Sequence, residues 1–149
     1  MTRPRVLMVL SRPYTDKPTT GREKINAFAY ASISQIAEVH TEHFRHILAT
    51  RNTWALAKAG LRFIQGLLTK PYPLQALLFS DQREIQRIES IVQSFKPDVV
   101  FIESERSCFL IRALRNRWPK LRIVCDFDDL MSRRMAEWAS HGNAISFGY

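Results

Sequence analysis

Short apolar runs alternate with segments of helical periodicity along most of the chain. Residues 5–10 (RVLMVL) form a continuous apolar run, which is typical of a strand buried on both faces. Residues 37–44, 97–103 and 121–127 are further strand candidates, because each combines β-branched and aromatic residues with polar or proline boundaries. Strands that alternate with helices predict an α/β fold, a Rossmann-like parallel sheet flanked by helices.

The first predicted helix covers residues 20–36. Thr20 is a candidate N-cap, and Glu23 lies three residues later, which is the spacing of a capping box. Further helices are predicted over 81–95 and 106–118, the latter closed by Pro119. The expected sheet-facing stripe of the first helix contains Ile25, Phe28, Ala29, Ser32, Ile33 and Ile36.

Residues 51–70 are predicted to form a strongly amphipathic helix. Its apolar side chains cover about half of the helical circumference, while Arg51, Lys58 and Arg62 lie on the other half. One hypothesis places this helix on an anionic membrane, with Trp54, Lys58 and Arg62 as contacts. The alternative packs its apolar half on the sheet and leaves the basic half in solvent.

Length and charge narrow the class of protein. The 149 residues predict a single domain over 1–149, with 22 Lys and Arg against 14 Asp and Glu and a net charge of +8. This excess favours an anionic partner such as a membrane surface or a phosphorylated substrate. Nucleic acid is not expected, because the aromatic residues are not interleaved with basic ones and acidic residues 126–129 would repel phosphates.

The cysteines and the hydropathy of the chain bear on where the protein is located, and the histidines bear on whether it has a metal site. Cys108 and Cys125 are expected to be reduced core thiols, which favours the cytoplasm, and no run approaches the roughly 18 apolar residues of a membrane span. His40, His43 and His46 form a dense cluster, but alternation along a strand would separate them, so no metal site is expected.

Charged residues follow the predicted first and third strands. Gly21 and Arg22 lie where a loop enters the first helix, so they are candidates for binding a phosphate at a helix N-terminus, although Gly21 is equally explained as a plain turn residue. Glu103 and Arg106 follow the third strand, where Arg106 binds an anion or simply pairs with Glu103. Both positions belong at the edge where ligands bind in open α/β sheets.

The segment CDFDDLMSRR, residues 125–134, carries the densest candidate chemistry. Asp126, Asp128 and Asp129 follow the last predicted strand, and crowded carboxylates raise one another's pKa toward the range of a general base. The alternative is structural, with an aspartate capping the next helix and Arg133 and Arg134 as ion-pair partners.

The order of these segments resembles the N-terminal half of a GT-B glycosyltransferase of the broad family-4-like group. The segments that carry the resemblance are RVLMVL, SRPYTDKPTTGREKINAF, PYPLQALLFS, KPDVVFIESER and DFDDLMSRR. A weaker resemblance, of IVCDFDD to haloacid dehalogenase-type phosphatases, lacks that family's later motifs.

The glycosyltransferase resemblance implies transfer of a sugar from a nucleotide-sugar donor to an acceptor. It gives Asp128 the role of the base that deprotonates the acceptor hydroxyl, with Asp126 in reserve. It brings Gly21, and with it Arg22, close to the donor phosphates. Acceptor contacts are then expected at Glu103, Arg106, Asp129 and Arg133.

The resemblance also implies partners. The donor-binding C-terminal domain is expected in cis or in trans, and the chain alone is expected to be inactive and to need no cofactor of its own. The acceptor is expected to be a sugar or a lipid-phosphate-linked molecule, with the protein in the cytoplasm or peripheral on the inner membrane. The alternatives are a non-catalytic module that binds a membrane or partner, and one subunit of a split glycosyltransferase.

Overall fold

A computed structural model describes residues 3–50, 53–68 and 74–126 of the chain. The strands in this part are β1 (Arg5–Leu10), β2 (Glu38–His43), β3 (Val99–Glu103) and β4 (Arg122–Asp126). The helices are α1 (Gly21–Ser34), α2 (Ile47–Thr50), α3 (Thr53–Leu68), α4 (Leu74–Leu77), α5 (Gln82–Phe95) and α6 (Cys108–Arg117). A 3₁₀ turn, Glu105–Ser107, joins β3 to α6.

The four strands form one parallel sheet in the order β2-β1-β3-β4. The predicted α/β class and Rossmann-like parallel sheet are therefore confirmed. Because all strands run the same way, Leu10, His43, Glu103 and Asp126 end them at one edge, which we call the carboxyl edge. Glu103 and Asp126 are directly paired in the β3–β4 register.

Helices cover both faces of the sheet. On one face, Leu7, Val9, Val100 and Ile102 pack with side chains of α5 and α6. On the other face, Val6, Met8 and Leu10 pack with Ala37 and with half-buried side chains of α1. The continuous apolar run of β1 is explained by this arrangement, since its side chains are needed on both sides.

Helix α1 confirms its predicted start and part of its predicted inward face. The hydroxyl of Thr20 accepts a hydrogen bond from the Glu23 N–H at 3.3 Å, and the Glu23 carboxylate accepts one from the Thr20 N–H at 3.1 Å. The predicted stripe is wrong in part, because Phe28 is 75% exposed and Ile36 71% exposed. Ala29 and Ile33 are turned toward the sheet as predicted, together with Asn26 and Tyr30, which were not in the predicted stripe.

Helix α3 buries small residues and exposes large ones. Ala55 and Ala59 are buried against Ile47 and Leu77. Trp54, Leu61 and Ile64 are 67%, 57% and 59% exposed. At about 100° per residue, these three side chains lie within about 40° of the point opposite Ala59, and we call them the α3 outer face.

The alternative in which the apolar half of this helix packs on the sheet is wrong for its largest side chains. The helix exists where it was predicted, but the large apolar side chains of the α3 outer face do not pack on the sheet. A small alanine surface is enough for α3 to approach α2 and α4 closely. Within the described part of the chain, no helix is both long and apolar enough to cross a bilayer.

The two cysteines differ in exposure, and His40 and His46 have different partners. Cys108 is exposed at the start of α6, so its prediction as a core thiol is wrong, while Cys125 is half-buried on β4 and both thiols are free. His40 pairs with Glu42 at 3.0 Å, whereas Nδ1 of His46 accepts a hydrogen bond from the Ala49 N–H at 3.2 Å.

Candidate functional site

A buried glutamate organises the carboxyl edge. Glu103 ends β3 and has no exposed surface. Its Oε2 accepts hydrogen bonds from the Ser11 N–H at 2.8 Å and from the Asn26 side-chain amide at 3.1 Å. Its Oε1 lies 3.0 Å from Nε of Arg22. One carboxylate therefore connects the end of β1, the body of α1 and the end of β3.

Glu103 was predicted to contact an acceptor, and that role stays a prediction. Its oxygens face Ser11, Arg22 and Asn26 inside the fold, and this geometry gives Glu103 the role of positioning these groups. Burial of a carboxylate is tolerated only when charge and hydrogen bonds compensate for lost solvent, and this set of partners provides both.

Arg22 lies between two carboxylates. Besides its contact with Glu103, its Nη1 lies 3.7 Å from Oδ2 of Asp126, and its side chain is 20% exposed. The guanidinium therefore bridges the ends of β3 and β4, where Glu103 and Asp126 would otherwise repel each other. Arg22 is also in the first turn of α1, so the predicted phosphate-binding residue does reach the carboxyl edge.

The backbone directly after Glu103 adopts an unusual conformation. Ser104 has a φ of 81°, in a region that non-glycine residues rarely occupy. Its N–H donates to the Asp126 carbonyl at 3.1 Å, its carbonyl accepts from the Ser107 N–H at 3.2 Å, and its hydroxyl accepts from the Arg106 N–H at 3.3 Å. Strained residues held by several contacts are common at ligand sites.

Arg106, which follows the bend at Ser104, has a side-chain N–H that no described residue accepts. Its Nε is buried and has no hydrogen-bond partner within the described residues, although its side chain as a whole is only half-buried. The sequence left open whether Arg106 pairs with Glu103 or binds an anion. No ion pair between the two is present in the described part of the chain, and Arg22 occupies Glu103 instead.

The loop before α1 adds a further cation. Nη1 of Arg12 donates to the Thr20 hydroxyl at 3.3 Å. Gly21 is the first residue of α1, and a Cβ added there would meet nothing within 4 Å. The protein therefore leaves room for a side chain at position 21, and packing does not explain why this residue is glycine. A phosphate approaching this backbone stays a prediction.

Two residues of this region, Ser11 and Asn26, were missed by sequence reasoning, and a third, His43, was weighed only as a metal ligand. Asn26 could have been found, because 26, 29, 30 and 33 have the spacing of one helix face and Asn26 is its only strongly polar member. Ser11 contributes a backbone N–H, which no side-chain pattern reveals. His43 ends β2, and its burial lowers the pKa of its imidazole.

Several predicted site residues are not brought to this edge by the described part of the chain. Asp128, Asp129 and Arg133 lie outside the described residues. Lys58 and Arg62 are on α3, where they lie over the rings of Trp54 at 5.3 Å and Phe109 at 5.6 Å. The predicted membrane contacts are thus a separate group of residues from the carboxyl-edge network.

A second buried carboxylate, Glu84, has a structural explanation. Arg45 binds it through Nε at 3.0 Å and through a closer Nη2 contact, while Arg87 approaches at 3.2 Å.

Arg87 also donates to Glu42 at 2.7 Å and to the His43 carbonyl at 2.6 Å. Burial alone would raise the pKa of Glu42, but hydrogen bonds from Arg87 and His40 outweigh it and lower that pKa. This network fastens α5 to β2.

Chemically, the carboxyl edge offers an arginine held between two carboxylates, a second arginine with an unused donor, and a bent backbone. Such a site can bind an anionic or hydroxyl-rich group next to a carboxylate.

Comparison of the chain with known protein families, curated proteins and solved structures gives no match.

Proposed function

We propose that this chain is the acceptor-binding N-terminal domain of a GT-B glycosyltransferase. The supporting observation is Arg22, which Glu103 holds at the carboxyl edge within 3.7 Å of Asp126. Asp126 directly precedes the segment to which the resemblance assigns the catalytic base. A cation and a row of carboxylates at the strand ends are what an acceptor hydroxyl beside a donor phosphate would require.

In the proposed reaction, the carboxylate of Asp128 removes the proton of the acceptor hydroxyl as that oxygen attacks the anomeric carbon of the donor sugar. The bond from that carbon to the nucleoside diphosphate breaks, and the diphosphate leaves with the electron pair. Gly21 and Arg22 would lie near the donor phosphates, while Arg106, Asp129 and Arg133 would hold the acceptor. Asp126 is the reserve base, paired with Arg22.

The donor would be bound by a second Rossmann-like domain, in cis or in trans. The test therefore uses the tagged chain purified from its source cells together with whatever remains bound to it. Radiolabelled nucleotide sugars and a lipid extract from the same cells serve as donor and acceptor. We expect labelled product, and at least about a hundredfold less with Asp128→Ala.

Glu38→Ala is the matched control, because Glu38 is exposed at the opposite end of β2. Its transfer rate should equal that of the unchanged chain. Transfer that survives in Asp128→Ala removes this residue from the mechanism. If no labelled product forms from any nucleotide sugar with the purified assembly, the glycosyltransferase proposal is wrong.

The α3 outer face favours a second candidate function, a module that binds an anionic membrane with or without catalysis. Trp54, Leu61 and Ile64 form an exposed apolar surface, and Lys58 and Arg62 lie on one flank of it. An amphipathic helix with this composition is suited to the interface of an anionic leaflet. Flotation with phosphatidylglycerol-containing vesicles tests it.

Leu61→Ser with Ile64→Ser should weaken vesicle binding by at least about tenfold, because two side chains no longer leave water. Phe28→Ser is the control, since Phe28 is even more exposed, at 75%, but belongs to α1. Equal loss in both variants would mean that α3 is not the membrane contact. If the chain binds vesicles through α3 and has no transferase activity, the membrane-binding module is the better-supported of the two functions.

A further inference from the structure

A groove of about 170 Å³ lies between α3, α5 and α6, away from the carboxyl-edge network. Its floor is formed by apolar side chains that include Phe109 and Ile85. Its rim carries two guanidinium groups, Arg62 and Arg112, and two carboxamides, Gln82 and Asn116. No carboxylate is among the described residues that line it.

Some arginines of the described residues are neutralised by a carboxylate, and the two arginines of the groove are not. Arg22, Arg45, Arg87 and Arg117 all lie within ion-pair distance of a carboxylate. Neither Arg62 nor Arg112 makes an ion pair in the part of the chain that the structure describes. Arg62 is held instead by the ring of Phe109, 5.6 Å from its guanidinium carbon.

This combination selects a class of ligand. Two uncompensated guanidinium groups attract a compact anion and present forked donors that match phosphate oxygens. The carboxamides add neutral donors, which satisfy the remaining oxygens without adding charge. Ser80 also lines the groove, but its hydroxyl donates to the Leu77 carbonyl at 2.7 Å and is not a free donor.

We propose that the α3–α5–α6 groove binds a phosphate group through Arg62, Arg112, Gln82 and Asn116. The site is distinct from the carboxyl edge and does not depend on the glycosyltransferase proposal. The phosphate belongs either to a lipid headgroup or to a soluble phosphate compound. The first source is suggested by α3 itself, since Arg62 is on the same helix as the exposed Trp54, Leu61 and Ile64.

The first experiment is a titration of the full chain with inorganic phosphate, followed by NMR of the arginine Nε–Hε and carboxamide groups. We expect saturable shifts at Arg62, Arg112, Gln82 and Asn116. Arg112→Gln should weaken this binding by about tenfold or more, which is the effect of losing a charge-assisted hydrogen bond. Arg112 is exposed, so this substitution leaves the fold intact, and circular dichroism checks that it does.

Arg122→Gln is the matched control. It removes the same charge from an exposed position at the start of β4, and it should weaken phosphate binding by less than about twofold. The proposal is wrong if phosphate produces no saturable shift, or if the two substitutions weaken binding equally. Arg62→Gln provides a second variant with the same expected loss as Arg112→Gln.

The second experiment identifies the source of the phosphate. Vesicles of phosphatidylcholine with and without phosphatidic acid are mixed with the unchanged chain, Arg112→Gln and Arg122→Gln. A selective loss of phosphatidic acid binding in Arg112→Gln supports a lipid headgroup. Saturable phosphate binding with unchanged vesicle binding in Arg112→Gln supports a soluble phosphate compound in the same groove.

Discussion

The carboxyl edge and helix α3 show opposite uses of side chains. At the carboxyl edge, a charged residue is fully buried, and Glu103 is surrounded by partners from β1 and α1. On α3, large apolar residues are exposed, while Ala55 and Ala59 are buried. The usual rule of apolar side chains inside and charged ones outside is reversed in both places.

The two reversals have different physical consequences. A buried carboxylate is stable only while every partner is in place, so the carboxyl edge fixes the relative positions of β1, α1 and β3. An exposed apolar surface contributes nothing to the isolated fold and lowers its solubility. Changes at the carboxyl edge should therefore lower the stability of the chain, and changes on the α3 outer face should alter binding alone.

Glu103→Gln should produce the largest loss of stability among the substitutions considered. It removes the charge opposite Arg22 while keeping the size of the side chain. The loss is expected to be about 3 kcal/mol, because Arg22 loses its closer carboxylate and keeps the longer contact with Asp126, at 3.7 Å, while the Ser11 N–H and the Asn26 amide lose a charged acceptor. Urea denaturation of the full chain measures this change in the free energy of unfolding.

Glu89→Gln is the control for this prediction. Glu89 pairs with Arg117 at 3.4 Å, and the side chain of Arg117 is 54% exposed. The same chemical change should cost less than about 1 kcal/mol there. Equal costs at Glu89 and Glu103 would mean that the buried network does not hold the edge together.

Ala59→Leu should have the next largest effect. Ala59 is 5% exposed and lies against Ile47 and Leu77, so a larger side chain has no space between α3 and its neighbours. Overpacking of this kind costs about 2 kcal/mol. Ala57→Leu makes the same change on an exposed position of α3 and should leave stability within about 0.5 kcal/mol. A smaller effect at Ala59 than at Ala57 would contradict the packing described for α3.

The elements of this fold could be predicted from local patterns. The four strands and the helices α1, α3, α5 and α6 occur where apolar runs and periodicity placed them. The Thr20–Glu23 capping box was readable because all of its atoms come from four consecutive residues. These features depend on short-range chemistry, which the sequence displays directly.

Contacts between distant segments could not be predicted in the same way. Ser11 and Glu103 are 92 residues apart, and Asn26 and Glu103 are 77 apart, so their meeting depends on the sheet order β2-β1-β3-β4. The inward face of α1 was predicted only in part, because the predicted stripe left out Asn26, whose side-chain amide donates a hydrogen bond to the buried Glu103 carboxylate. For α3, the number of large apolar residues favoured their burial. The buried residues are instead Ala55 and Ala59, because small side chains allow α3 to approach the neighbouring helices.

Thr20→Ala should cost about 1 kcal/mol, which is typical of an N-cap. The Thr20 hydroxyl accepts the Glu23 N–H at 3.3 Å and the Arg12 guanidinium at 3.3 Å, and alanine can accept neither. Thr20→Ser keeps the hydroxyl and should retain the stability of the unchanged chain. A loss of the same size in Thr20→Ser would show that the methyl group, not the cap, is responsible.

The smallest effect on stability is expected for Leu61→Ala on the α3 outer face. Leu61 is 57% exposed, so most of its surface is in water in both the folded and unfolded chain, and its truncation should change stability by less than about 0.5 kcal/mol. Leu114→Ala is the matched control, because Leu114 is fully buried and the same truncation should cost about 2 kcal/mol or more. If Leu61→Ala were as destabilising as Leu114→Ala, the α3 outer face would have to be covered by another part of this chain. A small loss at Leu61 together with weaker vesicle binding would instead mean that its partner lies outside the chain.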